Sequence, residues 1–338
     1  MVRYAALDAG PEEIGHWRPA RSFPDHYPGD CPDYDYLLLN DRVHPLVHEG
    51  GGDFSVPGCD AGSLNALLSK LGLPSMEERV AVVAYGANRN PATLHIKLNG
   101  YGYRPPNGTD LCIPVLRSTL EDADVAACGL HGQGYLYGEL LLDSEHCRGT
   151  TLDARVLMVD ADQLGVLNDS EGIRQGQYKP ARIPEVRITA LDEPVTALGY
   201  VAAAHTWLSP VHGAPLGFTS VPASGRRYPS MTATQSLDHV MSTLGLRAEV
   251  ASLSGLADDE RLASDLAKYL NGQWWYGFNT GRPPIPGYGR IMDLFRERMG
   301  ESPLPARTLD YLAERGNVLG AEAAYAAGRS LTWAACRG

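Results

Sequence analysis

At 338 residues, 44% hydrophobic and 20% charged, the chain can bury a sizeable core and is too apolar to be disordered. Twenty-nine Lys and Arg against forty Asp and Glu give a net charge of -11, which argues against a sequence-independent grip on nucleic acid or an anionic membrane surface. No apolar run approaches the roughly 18 residues that would span a bilayer, and the opening lacks the apolar stretch of a signal peptide, so a cytoplasmic protein with small-molecule partners is expected.

Residues 1 to 75 are rich in Pro, Gly and Asp, with one strand expected in "YDYLLLNDRVHPLV" and one short helix in "SLNALLSKLGL". His44 and His48 stand four apart there, but Pro45 argues against a helix that would present both to one metal ion. The six cysteines are scattered without a C-x-x-C pair, as suits reduced thiols. From Glu77 the character changes: "ERVAVVAYG" is an apolar run ending in glycine, a buried strand that breaks into a loop. Further strands are expected at "LCIPVLRS", "GQGYLYGELLLD", "ARVLMVD", "ARIPEVRIT" and "VTALGYVAAA", too closely spaced to leave room for a helix between most of them, which favours a mixed or antiparallel sheet. Past residue 230 the pattern is helical, in "SMTATQSLDHVMSTLGL", "DDERLASDLAKYL", "GRIMDLFRERMG" and "PARTLDYLAERG". The stretch "NGQWWYGFNTGRPPIPGYG" (271–289) reads as an aromatic Pro/Gly-rich turn, either a lid or pocket wall or a satellite core under the C-terminal helices.

Three standard chemistries lack their motifs. The glycines of "GLHGQGYLYG" miss the G-x-G-x-x-G spacing and lead into a strand, and neither G-x-x-x-x-G-K-[ST] nor G-x-S-x-G occurs. Two short stretches remain. In "VAYGANRNPATL", a buried strand runs into Tyr85, Gly86, Ala87 and Asn88 before Pro91. Such a turn can aim several N–H groups at one oxygen; the plainer alternative is an ordinary strand-to-helix turn. In "LNDSEGIRQGQYKP", Asp160 and Gln163 upstream form a capping-box pattern, so a short helix ends near Gly172 with Glu171 at its C-terminus. The negative end of the helix dipole disfavours an ionised carboxylate there, which makes Glu171 a general acid/base candidate with a pKa pushed toward neutrality. The alternative is a solvated surface glutamate.

In order and spacing these stretches resemble the γ-glutamylcyclotransferase family, whose pattern is Y-G-S-N early and L-D-x-x-E-G-x-x-x-G-x-Y later. Leu167, Glu171, Gly172, Gly176 and Tyr178 fall on that pattern, Asn168 replaces its aspartate and Ala87 its serine. "GYLYGELLLD" and "PASGRRYPSMTATQSLDHVMSTLGL" resemble the family's middle strand and closing Tyr-helix segment, so the likeness spans residues 77 to 246. It implies an α+β fold, a small distorted mixed β-barrel flanked by helices, divided as an N-terminal extension (1–75), the family domain (76–250) and a helical C-terminal extension (251–338). It also implies a cyclising acyltransferase or lyase: the α-amine of a γ-glutamyl group attacks its own γ-carbonyl, releasing 5-oxoproline and an amine or amino acid. No cofactor and no metal is implied. Glu171 would shuttle the proton and Gly172 would give it clearance. The N–H groups of Gly86, Ala87 and Asn88 beside Tyr85 would hold substrate oxygens, and Tyr178 and Tyr228 would be pocket hydroxyls. "AYGANRNP" is nearer the amine and amino-acid branches of the family than the glutathione-specific one. A non-catalytic binding module and an amide hydrolase in which Glu171 activates water are the alternatives, and a homodimer is left open. His205, Trp207 and His212 read as structural, and Arg226 and Arg227 as a surface pair or a partner for a substrate carboxylate.

Overall fold

The computed structural model describes residues 10–104, 111–142, 145–304, 308–327 and 331–337. Residues 1–9, Asp143 at the end of one expected strand and 305–307 at the start of one expected helix lie outside the described residues, as does the side chain of Cys336. The other five cysteines form no disulfide.

The segment expected to hold one early strand is a hairpin, β1 (Tyr36–Leu39) and β2 (Arg42–Pro45). Asn40 turns it with φ 53°, a left-handed conformation that asparagine tolerates better than most residues. After α1 (Leu64–Lys70), capped by Ser63, comes β3 (Val80–Ala84), followed by α2 (Pro91–Gly100). Next are β4 (Cys112–Glu121), β5 (Ala123–Leu130), β6 (Leu136–Leu142) and β7 (Thr151–Val159). Helix α3 (Ala161–Ser170) leads into β8 (Tyr178–Ile188) and β9 (Val195–Ala202).

Five of these strands close on themselves in the order β4, β8, β9, β3, β7 and back to β4. The β9–β3 pair is parallel, through Leu198 and Val82, and the other four are antiparallel, so the chain is an α+β protein built on a small mixed barrel. In β8 the register to β9 shifts between Ile183 and Val186, where Glu185 takes φ 55°; such a bulge helps a sheet curve toward closure. The hairpin extends the barrel, Tyr36 pairing with Val115 and Leu39 with Cys112. Strands β5 and β6 form a second sheet with the short strands Gly217–Phe218 and Ser230–Met231. Strand β5, absent from the expected set, hides in the unpatterned "ADVAACGL" because nearly all its residues are buried.

All five residues of β3 are buried because both faces are covered, which is why its sequence is continuously apolar. Ala81 and Val83 join one core with Leu116, Val156 and Met158. Val80, Val82 and Ala84 face another, which receives Leu94 and Leu98 of α2 and Leu164 and Leu167 of α3. Each such leucine contributes roughly 1.5–3 kcal/mol of burial. That packing fixes α2 and α3 side by side on the barrel.

The C-terminal part adds α4 (Ala233–Thr243), α5 (Arg247–Ser254), α6 (Leu262–Thr280) and α7 (Pro286–Gly300). Residues 271–280, expected as a turn, instead continue α6: Leu262, Leu266 and Leu270 bury one face, and that packing carries the helix past Gly272 and Gly277. Gly281, at φ 66°, ends it, and Pro286 opens α7, so only residues 281–285 connect the two. None of the described helices is long and apolar enough to cross a membrane.

Candidate active site

Strand β3 runs out of the barrel wall at Tyr85. Gly86 follows, then the tight turn Ala87–Arg89, and Asn90 caps α2 through its side chain on the Thr93 N–H (2.7 Å). The N–H groups of Ala87 and Asn88 open this turn, where a helix leaves its first donors without internal partners. A side chain on Gly86 would meet the Tyr27 hydroxyl at 3.1 Å, so the loop is pressed close beneath the N-terminal segment. On the neighbouring helix, Asp160 and Gln163 form the expected capping box and Glu171 is the C-cap residue of α3.

The α2–α3 packing brings the two stretches together. The Asn88 amide donates to Glu171 Oε1 (3.0 Å), and the Lys97 ammonium donates to the same oxygen and to Asn88 Oδ1 (2.8 Å). Both bonds on the carboxylate end on Oε1, leaving Oε2 without a donor among the described residues. Burial by itself would raise the pKa of Glu171, but the charge of Lys97, the hydrogen bonds from Lys97 and Asn88 and the charge of Arg21 outweigh it, holding the carboxyl below its ordinary value. This corrects the expectation of a pKa near neutrality: the helix C-terminus is a weaker influence than a buried ammonium in contact. Burial pulls Lys97 below the ordinary lysine value while Glu171 pulls back.

Gly172 has a different role from the clearance expected of it. At φ 62° it is left-handed, and a Cβ there would meet the Gln177 side chain at 2.7 Å. The glycine lets the chain turn out of α3 and fold Gln177 back; it does not make room for a ligand.

A cavity of about 700 Å³ opens over this group. Tyr85, Gly86, Ala87, Asn88, Glu171 and Tyr178 all line it, so six of the seven expected site residues meet in one place. The Tyr85 hydroxyl is spent on the Tyr200 carbonyl, which ties β3 to β9 and leaves the ring facing the cavity. The buried Asn168 accepts the Tyr200 hydroxyl through Oδ1 at 2.9 Å. Tyr228 is not brought in: it is buried in a separate small cluster with Ala126, Leu141, Cys147 and Leu304. Arg226 is also engaged elsewhere, in a two-pronged pair with the buried Asp124 (2.7 Å on each oxygen). Trp207 is fully buried, and His212 stacks on His239.

Several lining residues were not anticipated. Lys97 had a legible signal, a lysine between Leu94 and Leu98 on the face α2 buries, four residues after Thr93. Arg21 and Tyr27 come from the irregular N-terminal segment and had none. Tyr27 stacks on Tyr135 (centroids 4.8 Å apart) and accepts the Gly138 N–H at 2.8 Å, placing the N-terminal segment in the wall. His131, from the β5–β6 turn, stacks on Tyr135 at 4.8 Å and lies 5.6 Å from Trp274 of α6. Burial, with the charges of Arg21 and Lys97 adding to it, drives its pKa to about 3, so the ring is neutral. Among the described residues no group of three or more His, Cys, Asp or Glu is placed to hold a metal.

Fold and site together define a closed-barrel α+β protein with a cavity of about 700 Å³, floored by a buried carboxylate and walled by aromatic rings. Neither family models nor curated proteins match the chain. Similar solved structures include an uncharacterized protein from Homo sapiens, 18% identical over 38% of this chain and 72% of that one, with a TM-score of 0.27. Another is a gamma-glutamyl cyclotransferase, 13% identical over 64% of this chain and 98% of that one, with a TM-score of 0.26. At these scores neither likeness bears on function.

Proposed function

We propose that the protein is a γ-glutamyl cyclotransferase. The observation that carries this reading is the pairing of an ionised, buried Glu171 with the loop that follows the first barrel strand, through the Asn88 bond at 3.0 Å. A γ-glutamyl group seated with its carbonyl on the Gly86–Asn88 turn would bring its α-ammonium toward Glu171 Oε2. The carboxylate removes a proton, and the freed amine adds to the γ-carbonyl carbon of the same molecule. The tetrahedral intermediate then expels the leaving nitrogen, which takes the proton back from Glu171. The ring nitrogen gives up its second proton to the departing amine, so the products are 5-oxoproline and an ammonium that carries away the positive charge the substrate's α-ammonium brought in.

Because nucleophile and electrophile are tethered, the protein needs mainly to fold the substrate into an attacking shape and move protons, the latter worth about 10²–10⁴-fold. A carboxyl held below its ordinary pKa is present as base at neutral pH and releases its proton readily to the leaving nitrogen. Lys97 fixes its position. The test is mass-spectrometric detection of 5-oxoproline from a panel of γ-glutamyl amines, dipeptides and glutathione, with Glu171→Gln alongside. Release by the wild type and not by the variant is expected; glutamate in place of 5-oxoproline would make the protein an amide hydrolase.

One observation favours a second reading. Oε1 of Glu171 is already shared by two donors, and Ala87 supplies no hydroxyl, as suits a non-catalytic binding module. Recovery of unchanged γ-glutamyl ligand from a tight complex would establish it.

A further inference from the structure

Among the described residues, five charged groups line the cavity: Arg21, Lys97, Glu171, Asp293 and Arg296. Four cancel in pairs, Lys97 with Glu171 in contact and Arg296 with Asp293 at 2.7 Å. His131 is neutral. Arg21 has no ion pair and no side-chain hydrogen bond among the described residues, so the cavity carries one uncompensated positive charge. That charge acts on Glu171 and Lys97 and also on His131 and Tyr135 of the aromatic wall.

The aromatic end is built tightly. The Tyr288 hydroxyl of α7 donates to the Gly132 carbonyl at 3.0 Å, and a side chain on Gly132 would collide with Tyr288 and Trp274. The Trp275 ring N–H donates to the Arg21 carbonyl at 3.2 Å, so the helix that places Trp274 also holds the backbone of Arg21. A guanidinium fork and flat rings lining one cavity suit a planar group carrying a carboxylate.

We propose that this end is a subsite for the leaving group, and that it takes an aromatic amino acid: ring against Trp274 and His131, carboxylate on Arg21. The assignment rests on the cyclotransferase reading for the word "leaving", and on charge and ring geometry for the ligand class. A γ-glutamyl group with its own ammonium and carboxylate is neutral overall, so a carboxylate on the other half of the substrate supplies the net negative charge that balances Arg21. Amines lacking a carboxylate, and amino acids lacking a ring, each satisfy half of the subsite.

The test uses the full chain in two arms. In the kinetic arm, 5-oxoproline release is compared for γ-glutamyl-phenylalanine, γ-glutamyl-alanine and γ-glutamyl-phenethylamide. The first should have a kcat/KM about tenfold or more above each of the others, the loss expected for one missing contact worth about 1.4 kcal/mol. Arg21→Gln should erase the advantage over the phenethylamide, Arg21→Lys should restore part of it, and Trp274→Ala should erase the advantage over the alanine substrate. In the binding arm, 3-phenylpropionate and phenethylamine are titrated against the protein by tryptophan fluorescence. Only the acid should bind, and Arg21→Gln should abolish that binding. Cyclisation of γ-glutamyl-alanine without any binding of 3-phenylpropionate would overturn the subsite and leave the reaction standing. Binding of the acid with no 5-oxoproline from any substrate would uphold the ligand class and overturn the reaction. If Arg21→Gln slowed all three substrates equally, Arg21 would hold the glutamyl carboxylate, and the proposal would be wrong.

Discussion

Replacing Lys97 by Met removes the ammonium that keeps Glu171 ionised while conserving most of the buried side-chain volume. Both partners are only 10% exposed at their side chains, so the pair belongs to the buried regime and not to the surface regime in which ion pairs contribute little. At an effective dielectric near 20, two unit charges about 4 Å apart attract by roughly 4 kcal/mol. Removing one partner of such a pair typically costs about 3–5 kcal/mol, because the other charge is left buried and alone. In wild type, Glu171 is held below its unfolded pKa; its contribution to stability is present above the unfolded value and lost as pH falls through the folded one. In Lys97→Met burial is opposed only by the Asn88 hydrogen bond and the charge of Arg21, and the carboxyl's pKa rises. The variant should therefore lose about 3–5 kcal/mol near neutral pH and much less at about pH 4, where protonating Glu171 removes the stranded charge. Urea unfolding of wild type, Lys97→Met, Glu171→Gln and the double variant at both pH values measures this. The double variant should cost well below the sum of the singles. Additive costs, or a Lys97→Met loss under about 1 kcal/mol at neutral pH, would refute a buried, mutually ionising pair.

On the cyclotransferase reading, the acid limb of the pH–rate profile lies below the ordinary carboxylate range in wild type and moves up in Lys97→Met, as assayed by 5-oxoproline release across pH. Gly172→Ala forces a left-handed residue to carry a Cβ against Gln177, at a cost of about 1–2 kcal/mol, and is expected to lower the unfolding midpoint in urea and slow turnover together. Tyr228→Phe leaves kcat/KM unchanged, since its hydroxyl is outside the cavity, whereas Tyr178→Phe lowers it. Imidazole ¹⁵N NMR should show His131 uncharged down to about pH 3, with no titration near neutrality.

The class of fold was legible because strands betray themselves by alternation or by continuous apolar runs, and the close spacing of "ARIPEVRIT" and "VTALGYVAAA" left no room for a crossover helix between them. Local chemistry was equally legible: the Asp160–Gln163 capping box and the helix end at Glu171 are interactions within a few residues. Strand β5, α5 and the continuation of α6 through 271–280 were not, since burial on all sides or packing against a neighbour overrode the local preference that a sequence displays.

The sequence by itself determined that Glu171 ends a helix and that Tyr85–Asn88 leave a strand, because hydrogen bonds between near neighbours decide both. Only the tertiary structure decided the charge state of Glu171, because Lys97, Asn88 and Arg21 reach it from 74, 83 and 150 positions away along the chain. It also decided that the N-terminal segment and the C-terminal helices complete the cavity while Tyr228 does not. Coulomb forces and ring stacking act through space, and distance in space is set by how α2, α3, α6 and α7 pack on the barrel, not by position along the chain.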